Sequence, residues 1–293
     1  MLKKLNLFCI FAFLCFLCFS CEKENNNQTR RVSHNSSLNE LTINEIDAMA
    51  TEIASFHSET MYDFLQNQCL SITVVNKTAY DEIIDYVAEK IRTQDFATVN
   101  IVDETIDDIT QEMTWDLFCG ASNVINNGFD FTLLTELNDN IGAVVENIDV
   151  SILENNCKKI DNQAYSIIEQ SSSFEDFTSR MSSLIKDSLE SLCSKNKKDE
   201  YFYSKLFVDV YMSSIDYITQ YLYGDQKGPR WDKFKSVAKQ VWNDVRPIVA
   251  ADAEGAVTGA MIGAATGPGV AVGAMAGGCG QSAGYCVGKL IKP

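Results

Sequence analysis

The sequence predicts an all-α protein, a helical bundle that ends in a glycine-rich helical hairpin. Apolar residues recur at three- and four-residue spacing along most of the chain, which is the period of amphipathic helices. Only four of the 293 residues are proline, so few positions break a helix. Over the last forty residues glycine recurs mainly at every fourth position, and residues four apart share one helix face. The one β-like run, residues 71–75, is short enough to be a connecting loop.

The first twenty residues are predicted to be an export signal. Two lysines precede an apolar run, residues 5–19, that ends at Ser20 and Cys21 and is too short for a permanent membrane span. A small residue before a cysteine that closes such a run resembles the bacterial lipobox. The resemblance implies that residues 1–20 are removed, that Cys21 carries several lipid chains as a stable anchor, and that the protein is an outer-membrane lipoprotein on the periplasmic or cell-surface side.

Two alternatives to lipidation are an ordinary signal peptide cleaved nearby and an uncleaved N-terminal anchor. The charged residues 22–24 that follow the cysteine resemble the surface-export signals of Bacteroidota lipoproteins.

Charge and composition divide the rest of the chain into three segments. Residues 21–36 are polar and asparagine-rich, and we expect a flexible tether. Residues 37–226 are predicted to form an acidic helical domain. Between residues 37 and 156 there are 23 acidic residues and only three basic ones. Residues 227–293 combine a basic amphipathic helix with the glycine hairpin. Because a strongly acidic field repels phosphate, nucleic acid is not an expected partner.

The basic segment, residues 227–246, holds six basic and two acidic residues directly before the hairpin. Two interpretations of it stay open. The segment could bring the hairpin to an anionic membrane, or its charged face could dock on the acidic body.

Apolar periodicity and end signals place the helices of the acidic domain and the basic segment. Thr42 and Glu45 resemble a capping box at the start of the first helix. Turns are expected at 123–128, 194–198 and 224–229, and Pro247 should kink or end the last amphipathic helix. The aromatic-rich helix near residues 200–223 is expected to contribute to the core and to an interface. The predicted helices are 42–65, Thr78–Arg92, Val102–Phe118, Phe131–Glu146, Val150–Gln170, Ser173–Ser194, Glu200–Tyr223 and Arg230–Val249.

The glycine hairpin, residues 255–288, carries no charged side chain. Its arms, 255–266 and 269–288, meet at Gly267-Pro268-Gly269. By helix rise the first arm is about 18 Å long, too short to span a bilayer, and the second, at about 30 Å, is just long enough. Because each glycine costs about 1 kcal/mol in a helix, the arms should fold only by packing or in a membrane, where unpaired backbone groups are penalised more heavily. The candidate helix-packing positions are Gly255, Gly259, Gly263, Gly267, Gly269, Gly273, Gly277, Gly280, Gly284 and Gly288.

Over about 36 residues the hairpin resembles the glycine-zipper segments of class II bacteriocins and of glycine-zipper outer-membrane lipoproteins. The resemblance implies membrane insertion or helix–helix self-association, with the membrane, a second copy or another protein as partner. The alternative is a structural or binding module of the envelope in which the hairpin is buried in its own core.

The cysteines outside the signal are predicted disulfide candidates, because exported proteins retain disulfides. Six remain after Cys21, and their pairing is open: Cys69, Cys119, Cys157, Cys193, Cys279 and Cys286. Cys279 and Cys286 are seven residues apart, about 10 Å along a continuous helix, so they could pair with each other only if the helix broke at Gly277-Gly278. Otherwise they would link the tail to the body or stay free.

Chemistry-bearing motifs are sparse. The chain has two histidines, His34 and His57, and no Cys-x-x-Cys, so we expect no metal site and no catalytic triad. Gly267-Pro268-Gly269 lacks the lysine and serine of a nucleotide loop, and no cofactor is expected. Paired carboxylates such as Asp107-Asp108 are typical of a solvated face in so acidic a segment. The sequence therefore predicts a protein that is not an enzyme.

Overall fold

The computed structural model describes residues 32–33, 38–67, 76–137, 139–224, 227–265 and 269–289. These residues form a bundle of packed α-helices, which confirms the predicted fold class. The predicted signal (1–20), Cys21 and the run 71–75 lie outside the described residues, as does most of the predicted tether. The described part belongs to one compact unit that begins at Arg31.

The helices follow one another through short connections. A two-residue strand, Val32–Ser33, pairs in parallel with Val99–Asn100, and short 3-10 helices occupy Leu38–Glu40 and Phe131–Glu136. The α-helices are α1 (Ile43–Asn67), α2 (Lys77–Thr93), α3 (Asp103–Glu112), α4 (Trp115–Asn126), α5 (Asp139–Glu146), α6 (Val150–Gln170), α7 (Phe174–Leu184), α8 (Lys186–Ser194), α9 (Lys198–Tyr223), α10 (Lys227–Ala265) and α11 (Val270–Lys289).

Side-chain caps fix several of these helix starts. The predicted capping box forms: the Thr42 amide donates to the Glu45 carboxylate at 2.8 Å, and the Glu45 amide donates to the Thr42 hydroxyl at 3.3 Å. Ser173 caps α7 through a bond from the Asp176 amide. Helix α6 has the predicted bounds, 150–170.

Three predicted helices are wrong because each is divided in two. The predicted helix 102–118 breaks at residues 113–114, where the Thr114 hydroxyl caps a new helix, and α4 then continues to Asn126 through most of the predicted turn 123–128. In place of 131–146 there is a 3-10 helix followed by α5. The predicted helix 173–194 is interrupted at Ile185.

Pro247 neither ends nor divides helix α10, which runs without interruption for 39 residues. A proline inside a helix leaves the carbonyl four residues earlier without its partner. That carbonyl belongs to Asn243, which is exposed, so water can satisfy it. The basic amphipathic segment and the first glycine arm are therefore a single helix.

Helix α9 and the two glycine-bearing helices form the centre of the bundle. Phe202, Tyr211 and Tyr217 on α9 are fully buried, as the aromatic pattern predicts. Helix α9 packs on α1 and on α10, and α11 packs on α10, α1 and α2. The glycine hairpin is thereby surrounded by the body.

Candidate functional site: the buried glycine hairpin and its polar cluster

The two glycine arms contact each other backbone to backbone. A Cβ added at Gly255 would lie 2.6 Å from the carbonyl oxygen of Gly277, and one added at Gly259 would overlap the carbonyl of Gly273. The same relation holds between Gly263 and the carbonyl of Gly269. Because no side chain fits at these positions, glycine is what lets the arms approach so closely.

Other glycines of the second arm meet the body. A Cβ at Gly280 would lie 3.0 Å from Ile84, and one at Gly284 would lie 2.7 Å from the Phe118 ring. Gly269 lies against Ile109 in addition to Gly263. Of the remaining predicted positions, Gly267 lies outside the described residues and Gly288 falls at the C-terminal end of α11.

Within the described residues, one helix is long and apolar enough to cross a membrane. It runs from Arg230 to Ala265, and 89% of its most apolar window is buried inside the protein. Core helices of soluble proteins meet the same criterion. Because the first arm is continuous with the basic segment, its length alone no longer keeps it from spanning a bilayer.

The Tyr217 hydroxyl connects both glycine-bearing helices to the body. It donates a hydrogen bond to the Asp252 carboxylate of α10 at 2.9 Å, and it lies 3.0 Å from the Ser282 hydroxyl of α11. The Cys286 thiol is 3.7 Å from the same oxygen. Tyr217, Asp252 and Ser282 are all fully buried. One phenol thus bridges two helices at the base of the hairpin.

His57 of α1 lies against the same cluster. Its side chain is 1% exposed, and its Nε2 is 3.8 Å from Asp252 Oδ2. Within the described part of the chain, neither ring nitrogen has a hydrogen-bond partner. Burial lowers the pKa of His57 to about 3, against a smaller opposing contribution from the Gly278 backbone.

Two buried carboxyl groups stand directly before the uncharged hairpin. Burial raises the pKa of Asp252 to about 7, although hydrogen bonds with Ser214, Ser282 and Tyr217 favour the ionised form. Burial likewise raises the pKa of Glu254 to about 8, opposed by the Thr258 hydroxyl, which donates to Glu254 at 2.5 Å. Both groups therefore hold their protons at mildly acidic pH.

The basic segment makes specific contacts with the body. Arg230 forms an ion pair with Asp216 of α9 at 2.6 Å, and Lys235 donates to the Ser171 carbonyl at 2.5 Å. Arg246 pairs through two of its nitrogens with Asp161 of α6, which is 7% exposed. Lys233 and Lys239 are exposed. Of the two interpretations of this segment, these contacts favour docking on the acidic body.

No disulfide joins the five described cysteines; Cys69 lies outside the described residues. Helix α11 is continuous at Gly277-Gly278, so the break that Cys279 would need to reach Cys286 is absent from this described helix. Cys119 and Cys193 are exposed, whereas Cys157 and Cys279 are buried.

The cavity beside the hairpin is too small to serve as an open ligand site. The cavity against the hairpin, lined by Tyr80, Phe118 and Gln281 among others, has a volume of only about 10 Å³. A groove of about 620 Å³ lies elsewhere, between the start of α1 and helices α7, α8 and α9, and includes Ser182, Lys186 and Cys193. Among the described residues, no group of three or more His, Cys, Asp or Glu side chains could hold a metal ion.

Sequence reasoning missed most of the polar cluster. It found the glycine positions by spacing but left out Gly278, whose added Cβ would lie 3.1 Å from His57. The sequence did not distinguish Tyr217 from the other aromatic residues of its helix, which carries eight of them. Asp252 and Glu254 did carry a signal, since they are the last acidic residues before the uncharged hairpin.

Comparisons with protein-family models, with curated proteins and with solved structures gave no match.

Proposed function

We propose that this protein is a lipid-anchored envelope protein that stores a membrane-inserting glycine hairpin inside an acidic helical body. The observation that carries the proposal is the contact between the arms. Gly255, Gly259 and Gly263 pack on the backbone of the second arm, so the hairpin's tightest interface is internal and can persist when the body is removed.

Charge supports the same proposal. The segment between Glu254 and Lys289 has no ionised group. Charged side chains at the bilayer centre cost several kcal/mol each, so a hairpin without them avoids the main penalty of insertion. The carboxyls of Asp252 and Glu254 lie outside this segment and hold their protons below neutral pH.

Self-association through the glycines is less favoured than insertion of the closed hairpin. In the described hairpin, Gly259 and Gly273 already pack against each other's backbone. A second copy could use these faces only after the two arms had separated, which would expose the backbone contacts that hold them.

The proposal is tested by locking the hairpin to the body. Ser122 of α4 and Gln281 of α11 lie side by side, with 3.3 Å between Ser122 Oγ and Gln281 Oε1. Both are changed to cysteine in a background with Cys119→Ser and Cys193→Ser, and a short bismaleimide joins them. Dye release from phosphatidylcholine/phosphatidylglycerol vesicles is then measured near pH 7 and near pH 5. We expect release by the unlinked chain and none by the linked one.

The control is the chain with Ser122→Cys alone, treated with the same reagent, which should still release dye. Equal release by the linked chain, or no release by any chain at either pH, would rule the proposal out.

The lipid anchor is tested separately. Cys21→Ala should abolish incorporation of labelled palmitate and move the protein from the membrane fraction to the soluble fraction. Cys119→Ala should change neither. Continued labelling of the Cys21→Ala chain would exclude lipidation at that position.

A second candidate is the envelope module in which the hairpin stays permanently in the core. The observation in its favour is that polar contacts tie the second arm to the body: the Gln281 amide donates to the Phe118 carbonyl at 3.2 Å, and Ser282 lies against Tyr217. For this candidate, cross-linking Ser122→Cys to Gln281→Cys should have no effect on any membrane assay.

A further inference from the structure

His57 is an ionisable group of the body that lies against the hairpin backbone. It reaches Gly278 of α11, where an added Cβ would be 3.1 Å from its ring. On α10 it faces Asp252, at 3.8 Å. On α9 it faces the Tyr217 ring, whose centroid is 5.7 Å away. The imidazole is thus enclosed by α9, α10 and α11.

The titratable groups around His57 offer no charge to balance an imidazolium in acid. Asp252 holds its proton because burial raises its pKa to about 7, and its Oδ2 already accepts the Tyr217 hydrogen bond. Tyr217 and the Cys279 thiol beside Gly278 are neutral in acid, since phenols and thiols ionise at alkaline pH. Within the described part of the chain, neither imidazole nitrogen has a full hydrogen-bond partner, and the Gly278 backbone favours the charged ring less than burial opposes it. A proton on His57 would therefore be buried with no charge to balance it.

We propose that His57 is an acid-operated latch: protonation of its imidazole separates the glycine hairpin from the body and frees it to enter a lipid bilayer. This inference rests on the proposed function and assigns the trigger for it. The step moves one proton from water to the ring and breaks no covalent bond.

Whether acid favours release depends on the proton affinity of His57 in the stored and released states. The pKa of His57 is about 3 in the closed structure and 6.5 once the ring meets water. Because the released state binds the proton more tightly, acid favours release between about pH 6.5 and pH 3.

Asp252 and Glu254 would oppose release into water, because their raised pKa values would fall there and acid would then favour the closed state. Asp252 and Glu254 directly precede the inserting hairpin, and a bilayer, like the core, would favour their protonated forms, so their opposition is weaker for release into a membrane. Acid should therefore promote transfer to a membrane more than unfolding in solution.

The test measures dye release by the full-length chain from phosphatidylcholine/phosphatidylglycerol vesicles at about pH 7.5 and pH 5.0. The wild type should release dye roughly tenfold faster at the lower pH, within the limit set by a single proton over this interval. His57→Phe keeps an aromatic ring that cannot be protonated and should lose the acceleration. His34→Ala, which removes the other histidine, should keep it.

His57→Gln provides a second non-titrating variant, and circular dichroism selects the variants that retain the helical fold. An acceleration that persists in a folded His57 variant would overturn the latch. Equal release at both pH values by the wild type would overturn the latch and leave the proposed function standing. Release at neither pH would overturn the proposed function, and the latch with it.

Discussion

The Tyr217 hydroxyl donates to the Asp252 carboxylate at 2.9 Å in a part of the core that is closed to solvent. The same oxygen lies 3.0 Å from Ser282 on the other glycine-bearing helix. A single atom of the body thus contacts both helices of the hairpin, so the stability of the closed form should depend on it strongly.

Tyr217→Phe should lower the free energy of unfolding by about 1–3 kcal/mol, because it leaves buried polar groups without a partner and barely changes the ring packing. Urea unfolding followed by circular dichroism measures the change. Tyr165→Phe is the matched control, since the Tyr165 hydroxyl bonds Glu169 at an exposed position and its loss should cost little. Equal effects of the two changes would contradict a special role for Tyr217.

Gly259→Ala should destabilise the fold by about 3 kcal/mol, the upper end of the cost of overpacking, because the new methyl would overlap the Gly273 carbonyl and that backbone cannot move aside alone. Gly142→Ala is the control. Its added Cβ would lie 3.4 Å from the Thr135 carbonyl oxygen, and alanine should gain up to about 1 kcal/mol in a helix. Thermal or urea unfolding measures the two changes in unfolding free energy, which should have opposite signs. A Gly259→Ala change with no effect on stability would show that the arms are not in contact.

The contribution of Asp252 and Glu254 to stability should fall as the pH rises from about 4 to 8. The folded-state pKa values of Asp252 and Glu254 are about 7 and 8, above the ordinary values of 3.8 and 4.5. Their contribution is full below the ordinary values and is lost as the pH passes through the raised ones. Each pKa unit corresponds to about 1.4 kcal/mol.

Asp252→Asn combined with Glu254→Gln should flatten this pH dependence of the free energy of unfolding, measured by urea titration at several pH values. The same two changes at the exposed residues Asp107 and Glu112 provide the control and should leave the slope in place. An unchanged slope in the first double variant would show that other groups cause it.

Arg246→Ala should cost about 1–3 kcal/mol, because the buried Asp161 carboxylate loses its cation but keeps the Tyr211 hydroxyl as a donor, and the Arg246 side chain is itself 45% exposed. Arg180→Ala removes a cation from an exposed pair with Asp176 on one helix turn and should cost about 0–1 kcal/mol. The two free energies of unfolding are compared in the same buffer. A small loss in the Arg246 variant would mean that water satisfies Asp161.

The sequence predicted the helical class, the start of α1 and the bounds of α6, because apolar period and capping residues act locally. It missed the breaks at Met113-Thr114 and at Ile185, where apolar spacing continues across the interruption and only the new cap marks it. Pro247 does not end the helix, because the cost of a proline there depends on whether the Asn243 carbonyl meets water.

The candidate site shows the same contrast between local sequence patterns, which can be read, and tertiary packing, which cannot. Glycine spacing identified the surface that lets the arms approach each other. It did not identify the polar cluster, because His57, Tyr217 and Asp252 come from three helices far apart in sequence. Their proximity is set by tertiary packing, which leaves no local pattern.

Helix α10 is one continuous helix from Lys227 to Ala265, about 58 Å long at the helical rise. Its first turns carry Trp231, which packs on Phe174 and Phe177 with ring centroids 5.7 and 5.3 Å away. If the first glycine arm moves together with the rest of helix α10, the Trp231 side chain has to move with it. Under the proposed release, tryptophan emission would therefore report the departure of the hairpin without any attached dye.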